Sequence, residues 1–374
     1  MIYLDTASTT KPSQAACNAM TEALKCFGNP SSLHGLGLES EKLIDKSKKA
    51  ISQRLGCDRK KLYFTSGGTE ANNTAIFGTA QSLKKRGMRI ITSKIEHPSV
   101  LESFKALEKS GFEVLYVGCD KHGRISLDEL ESMVNDKTSL VSIMTVNNET
   151  GIIQPVKEAA QILKQKSSFG ILHTDAVQGF CKVDCSPLNT GADLISISSH
   201  KIHGPKGVGA LYIDNCRISP LIYGGSQQQA IRPGTENVPG IAGFGAAAEE
   251  VYDNCDLLYD TLKNGIVSEI DDIKINGCEE FASKYVLNVS FLGIKGEILL
   301  HTLENYGIYV STGSACSSHR PEPSHVLTAM GLTSRETDGA IRFSFDNNIT
   351  VEDIQKTVEI LKKEVTTLRR YVRR

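Results

Sequence analysis

Two nucleophilic side chains, Lys201 and Cys316, lie in stretches of small and polar residues. Lys201 follows the apolar run DLISIS in SSHKIHGPKG. Its amine could form an imine with a carbonyl compound, although a surface lysine whose stem covers apolar atoms would look the same. Cys316 lies in STGSACSS, where glycine and small polar residues indicate a flexible, exposed loop. A deprotonated thiol is a strong nucleophile, so Cys316, like Lys201, is a candidate for covalent chemistry.

The stretch TSGGTEANN, residues 65–73, has the composition of an anion site. Gly68 and Thr69 lie where an apolar run gives way to a helical pattern, and the N–H groups at a helix N-terminus favour phosphate. The spacing matches neither GxGxxG nor a Walker loop, and glycine pairs are common in turns. By itself this signal is weak.

Further polar residues come at the ends of apolar runs: His97, Asn148 and Asp175, with Gln178 three positions beyond Asp175. Taken singly, they are better explained as a structural histidine, an asparagine turn and a paired buried carboxylate. Taken together with the lysine and the anion site, they supply the groups that bind pyridoxal phosphate. The helix N-terminus suits the phosphate, the lysine suits the aldehyde, and the carboxylate suits the pyridine nitrogen.

These side chains meet only if the apolar runs form one parallel sheet, because ligands bind at the carboxyl ends of such strands. Short apolar runs do alternate with amphipathic stretches, as in α/β folds. The predicted strands are 61–66, 89–93, 112–117, 140–146, 170–175, 193–198 and 208–213, and helices are predicted at 126–134 and 155–167 among others.

The helical stretches become longer in the last third of the chain. We therefore predict a large domain over residues 13–256 and a smaller α+β domain formed by 1–12 and 257–374. Thr350 and Asp353 predict a capping box before the final helix. The apolar face of that helix recurs at spacings of three and four: Ile354, Val358, Leu361, Val365 and Leu368.

The composition excludes several classes of protein. The chain has 374 residues, 40% of them apolar and 23% charged, and a net charge of −1, so it lacks the basic surface expected for binding nucleic acid or an anionic membrane. Neither a signal peptide nor a membrane-spanning run is evident. Ten cysteines without CxxC spacing indicate reduced thiols in a cytoplasmic protein and no metal site.

Eight motifs occur in order along the chain: TSGGTEANN, EHPSV, VNNETG, HTDAVQ, SSHKIHGPKGVGALY, RPGTEN, STGSACSS and IRFSF. In these motifs the chain resembles the cysteine desulfurases of the NifS and IscS type, from YLDTASTT to the last helix. The lysine segment and the GSAC loop are specific, whereas the glycine turn is not. The resemblance implies the pyridoxal-phosphate-dependent transferase fold type I, with a mostly parallel seven-stranded sheet flanked by helices and a smaller α+β domain.

Carried over to this chain, the resemblance implies a role for each motif residue. Lys201 would hold the cofactor and move protons at the substrate α-carbon, Asp175 would keep the pyridine nitrogen protonated, and His97 would stack on the ring and assist proton transfer. The remaining implied contacts are Gln178 with the phenolate oxygen, Gly68, Thr69, Ser198 and His200 with the phosphate, Asn148 and Arg342 with the substrate carboxylate, and Thr235 with the phosphate of the neighbouring subunit of a homodimer.

The resemblance also implies the reaction, in which Cys316 takes sulfur from L-cysteine as a persulfide and L-alanine is released. The loop at about 311–323 matches the long, mobile type. The sulfur would pass to an acceptor protein, either an iron–sulfur scaffold or a tRNA-thiolation enzyme. The chain ends at Arg374 without the longer tail with which housekeeping members bind an iron–sulfur scaffold. A dedicated sulfur acceptor is therefore as consistent with the sequence as that scaffold. The base that deprotonates Cys316 is also open, with His97 as one candidate.

Three departures from the family pattern, Ser8, Thr150 and Ser199, are expected to have small effects. Three other functions stay open from the sequence: a selenocysteine lyase, a class V aminotransferase, and a catalytically silent protein that only docks partners. An aminotransferase would not need Cys316. A silent protein should have lost Lys201, Asp175 or Arg342, yet all three are present.

Overall fold

The computed structural model describes residues 1–214, 216–250, 255–312 and 323–372. The strands are β1 (Ile2–Tyr3), β2 (Leu62–Thr65), β3 (Arg89–Ser93), β4 (Glu113–Val117), β5 (Thr138–Ser142), β6 (Ile171–Asp175), β7 (Leu194–Ser198), β8 (Gly209–Ile213), β9 (Ile273–Ile275), β10 (Val286–Phe291), β11 (Ile308–Tyr309) and β12 (Ala340–Ser344). The helices are α1 (Gln14–Lys25), α2 (Gly35–Leu55), α3 (Gly68–Leu83), α4 (Pro98–Lys109), α5 (Leu127–Met133), α6 (Val156–Lys166), α7 (Pro187–Thr190), α8 (Val238–Glu249), α9 (Asp256–Glu269), α10 (Gly296–Glu304), α11 (His325–Ala329), α12 (Ser334–Asp338) and α13 (Val351–Val372).

The main sheet has seven strands in the order β2-β8-β7-β6-β5-β3-β4. All of them run in one direction except β8, which is antiparallel to both β2 and β7. This confirms the predicted fold class and the seven-stranded, mostly parallel sheet. Strands β5 and β7 are buried along their whole length. Helices cover both faces of such a sheet, so even the alternating serines of β7, Ser196 and Ser198, are buried.

The strand predicted at 140–146 begins and ends earlier in the structure, where β5 covers Thr138–Ser142. The N–H groups of Ile143 and Thr145 still donate to carbonyls of β6, but the pairing with β3 stops at Ser142. The chain then turns at Asn147, whose Oδ1 accepts the N–H of Glu149 at 2.9 Å. Residues 143–146 stay buried after the pairing with β3 stops, so their apolar character does not mark the end of the strand.

The apolar side chains form two large cores. The first core joins the main sheet to α1, α2 and α8 and includes Ile195 and Phe244. The second core joins β10, β12, α9, α10 and α13, and Ile2 and Leu4 from the start of the chain belong to it. The domain boundaries at residues 12 and 256 stay a prediction.

The final helix, α13, follows the predicted capping box. The Thr350 N–H donates to Asp353 Oδ2, and the Asp353 N–H donates to Thr350 Oγ1, both at 3.2 Å. Ile354, Val358 and Leu361 are buried in the second core, as the spacing predicts. Among the helices of the described ranges, none is long and apolar enough to cross a membrane.

Candidate active site

A cavity of about 300 Å3 lies where the carboxyl ends of the parallel strands meet β12 of the second core. Ten residues singled out from the sequence line it: Gly68, Thr69, His97, Asn148, Asp175, Gln178, Ser198, His200, Lys201 and Arg342. Thr235 is exposed and does not line this cavity. Cys316 lies outside the described residues. The structure therefore brings most of the predicted site together, while the roles of these residues stay predictions.

Lys201 ends a short 3-10 turn that follows β7 directly. Its Nζ donates to the backbone carbonyls of Ala7 at 2.6 Å and Ser8 at 2.7 Å. The Ala7 carbonyl also accepts the amide Nε2 of Gln178 at 2.8 Å. Ala7 and Ser8 thus line the cavity and hold the lysine amine at its wall.

Asp175 is the last residue of β6, and its carboxylate is buried. Oδ1 accepts the N–H of Val177 at 2.9 Å, and Oδ2 accepts Nδ2 of Asn72 on α3 at 2.7 Å. These two donors offset the free energy of burying the carboxylate. They also fix the direction in which it faces the cavity.

His97 lies between β3 and α4 and caps the helix, with Pro98 as the first helical residue. Its Nδ1 accepts the N–H of Ser99 at 3.1 Å and lies 2.8 Å from the Ser99 hydroxyl. Burial lowers the pKa of His97; Asp175 acts in the opposite direction, and Lys201 lowers it further.

The N-terminus of α3 forms one end of the cavity. The residue before the helix is Gly67, so no side chain caps the first turn. A Cβ on Gly68 would lie 2.7 Å from Cγ2 of Val177, so the close approach requires glycine. The Ser198 hydroxyl is buried there, with no hydrogen-bond partner among the residues that the structure describes. Open N–H groups and a hydroxyl are the donors that a phosphate needs.

His200 adjoins the same end of the cavity, with its Nδ1 3.1 Å from Oγ1 of Thr9. Burial, and after it the positive charge of Lys201, lowers the pKa of His200 to about 4. The ring is therefore neutral at physiological pH and can donate or accept a hydrogen bond.

Arg342, on β12, adds a buried cation to the lining of the cavity. One terminal nitrogen donates to Asp5 Oδ1 at 2.8 Å and to Ser8 Oγ at 2.6 Å. The other donates to the Asn148 carbonyl at 2.9 Å. The Nε is buried without a partner in the described part of the chain. The guanidinium is thus held rigidly and can still bind an anion.

Asp5, Asn72 and Ser99 contact predicted site residues through hydrogen bonds, but the sequence alone predicted no role for them. Asn72, Asp5 and Ser99 lie inside the motifs TSGGTEANN, YLDTASTT and EHPSV, so the motifs identify their segments but not their contacts. Asn72 and Asp175 are 103 residues apart, and Asp5 and Arg342 are 337 apart. Contacts over such separations depend on the fold, which the local sequence does not reveal.

Comparison with known proteins gives a family, a relative in sequence and two similar structures. Residues 2–357 match the family model of the class V aminotransferases. A protein named cysteine desulfurase IscS from Clostridium botulinum (strain Hall) is 40% identical over 373 residues, which cover 97% of this chain and 94% of that protein.

Among solved structures, one described as a NifS-like protein has a TM-score of 0.91 and 36% identity, and the match covers 98% of this chain and all of that one. Another, described as SspA in complex with cysteine, has a TM-score of 0.83 and 33% identity, with 92% of this chain and 99% of that chain covered.

Proposed function

Because this chain belongs to the class V aminotransferase family and, within it, to the cysteine desulfurases, we propose that it removes sulfur from L-cysteine with pyridoxal phosphate held at Lys201. L-alanine is released, and the sulfur stays on Cys316 as a persulfide. One observation carries the proposal: Lys201, Asp175 and Arg342 face a single cavity. An amine, a carboxylate and a guanidinium suit an aldehyde, a pyridine nitrogen and a substrate carboxylate, respectively.

The residues present fit pyridoxal phosphate. Four atoms that belong to cavity-lining residues are buried without a partner in the described chain: Asn72 Oδ1, Gln178 Oε1, Ser198 Oγ and Arg342 Nε. Such groups are rare in native proteins, and a bound ligand is a common explanation. The Ser198 hydroxyl and the open end of α3 suit the phosphate. The second N–H of the Gln178 amide, beyond the one bonded to Ala7, suits the phenolate oxygen.

Bound pyridoxal phosphate would supply an electron sink that stabilises negative charge at the substrate α-carbon. The side chains of this protein would do the rest. Asp175 would hold a proton at the pyridine nitrogen, because a carboxylate favours a nearby positive charge. Arg342 would bind the carboxylate of L-cysteine with two N–H groups and so orient the α-carbon toward Lys201. The Lys201 amine would then carry the proton to and from that carbon.

The test uses purified holoenzyme, L-cysteine and no reductant. We expect equimolar alanine and one added sulfur on the peptide that contains Cys316. Cys316→Ala should abolish the added sulfur, whereas Cys17→Ala, which removes an exposed free thiol elsewhere, should leave it unchanged. Yellow protein that forms no alanine and leaves Cys316 unmodified would contradict the proposal. Transamination of a panel of amino acids and cleavage of selenocysteine would then be measured.

A homodimer is the assembly that we propose for this activity. Thr235 is exposed in the single chain and is available to reach the phosphate of a second subunit. Large apolar side chains are also exposed, among them Phe27 (82%), Leu33 (96%) and Tyr223 (81%). Exposed apolar surface of this kind is typical of a protein interface. Sedimentation of the holoenzyme should give twice the chain mass, and Thr235→Ala should weaken cofactor retention.

The proposal also includes a protein acceptor for the sulfur on Cys316. An iron–sulfur scaffold and a tRNA-thiolation enzyme are the two kinds of acceptor to test. Transfer of labelled sulfur from the persulfide to each purified acceptor would distinguish them.

A further inference from the structure

The imidazole of His97 caps α4 through Nδ1, which accepts the backbone N–H of Ser99. A backbone N–H can only donate, so Nδ1 must present its lone pair and cannot carry a proton. In the neutral ring the proton then lies on Nε2. The local sequence His-Pro-Ser makes this cap possible, because Pro98 has no N–H and leaves the next amide to the ring.

A second donor reaches the same nitrogen, and a chain of hydrogen bonds sets its direction. Asn72 Nδ2 lies 2.7 Å from Asp175 Oδ2 and 2.9 Å from Ser99 Oγ. A carboxylate oxygen accepts, so the Asn72 amide must turn its nitrogen to Asp175 and give its other N–H to Ser99. The Ser99 hydroxyl is therefore free to donate to His97 Nδ1, 2.8 Å away.

The surroundings of the ring also disfavour a positive charge. The charged and titratable groups near it are Asp175 on β6, Lys201 after β7, His325 on α11 and the preceding Glu96. Burial lowers the pKa of His97, Asp175 opposes this, and Lys201 and His325 lower it again. The positive end of the α4 dipole acts in the same direction as Lys201.

We propose that Asn72 and Ser99 are positioning residues that hold His97 as the neutral tautomer with its proton on Nε2. In the resting enzyme His97 then offers the cavity a hydrogen-bond donor and does not accept the thiol proton of Cys316. His97 lines the cavity, and Nε2 has no hydrogen-bond partner among the described residues. The meaning for catalysis rests on the proposed function, but the tautomer does not depend on it.

Neutron diffraction from holoenzyme crystals exchanged into D2O near neutral pH reads the tautomer directly. We expect a deuteron on Nε2 of His97 and none on Nδ1. A deuteron on Nδ1, alone or with a second on Nε2, overturns the proposal. Alanine formation is measured separately on the same preparation: its absence would overturn the proposed function and leave the tautomer result unaffected.

Variants test the positioning role by pH titration of holoenzyme labelled with 13C at the histidine Cε1, with the His97 signal assigned from His97→Gln. Ser99→Ala keeps the backbone cap but removes the hydroxyl donor, so the proton affinity of His97 should rise about fivefold, the worth of one neutral hydrogen bond. Ser99→Thr should restore the wild-type titration.

The matched control is Ser103→Ala, which removes a hydroxyl one turn further along α4 that donates to the Ser99 carbonyl at 2.8 Å. It should leave the His97 titration unchanged. Equal shifts in Ser99→Ala and Ser103→Ala, or no shift in Ser99→Ala, would overturn the positioning role. Should Ser99→Ala fail to fold, the neutron result on the wild-type enzyme still decides the tautomer.

Discussion

At the scale of single residues, Arg342 shows how the cavity is prepared for an anion. Its side chain is 4% exposed, and Asp5 balances its charge at 2.8 Å. The contacts with Asp5, Ser8 and Asn148 fix the plane of the guanidinium before substrate arrives. Since less rotamer freedom remains to be lost on binding, this preorganisation favours affinity. The Nε has no partner in the described part of the chain, and we expect a substrate carboxylate to bind there.

Arg342→Lys keeps the charge but loses the planar fork, so L-cysteine should bind more weakly. We expect the KM for L-cysteine to rise about 10- to 100-fold, the worth of one hydrogen bond to a charged group. The change in kcat should be smaller. Alanine formation at varied L-cysteine concentration measures both parameters. Arg335→Lys, the same substitution at an exposed position, is the control. An unchanged KM in Arg342→Lys would remove Arg342 from the substrate site.

At the scale of elements, the carboxyl ends of the strands could be read from the sequence. His97, Asp175 and Lys201 come at or just beyond the ends of predicted strands, and the carboxyl ends of parallel strands lie at one edge of the sheet. The end of β5 could not be read, because residues 143–146 stay buried after the pairing with β3 stops. The contribution of residues 5–8 was also hidden, since it depends on packing against distant elements.

The turn after β5 should be sensitive to its central side chain. Asn147 is fully buried, its Oδ1 accepts two backbone N–H groups, and its Nδ2 donates to the Ile95 carbonyl at 3.0 Å. Asn147→Ala leaves these groups without partners, so we expect a loss of about 2–4 kcal/mol in the free energy of unfolding. Urea denaturation measures it. Asn135→Ala, in an exposed turn, should lose less than about 1 kcal/mol. Equal losses would contradict the assigned role.

At the scale of the whole molecule, buried ionisable groups couple stability to pH in opposite directions. Burial lowers the pKa of His173, which lies between Ser142 and Ser196, to about 3. The unfolded chain takes up protons near pH 6.5, so stability from His173 is present above that pH and is lost as the pH falls toward 3. Burial raises the pKa of Glu96 to about 8. Its contribution is complete below about pH 4.5 and is lost as the pH rises through 8.

Glu96→Gln should isolate the second effect. Glutamine keeps the oxygen that accepts from Ser93 and from the Met144 N–H, and it imitates the protonated acid. Relative to wild type, the variant should therefore gain stability steadily from pH 5 to pH 8.5. Denaturation across that range gives the difference. Glu102→Gln, at an exposed helical position, should show no such trend. A flat difference for Glu96→Gln would mean that Glu96 is already ionised at pH 5.

The residues around this cavity are synthesised at different times, because they come from both ends of the chain. Asp5 emerges 337 residues before Arg342, its partner across the site. At about 5–20 residues per second, the first segment waits roughly 20 seconds to a minute for the last. Ile2 waits almost as long for β11, the strand with which it pairs. A chain that terminates early therefore cannot assemble the arginine side of the site, so premature products are left without a working pocket in which to generate reactive sulfur.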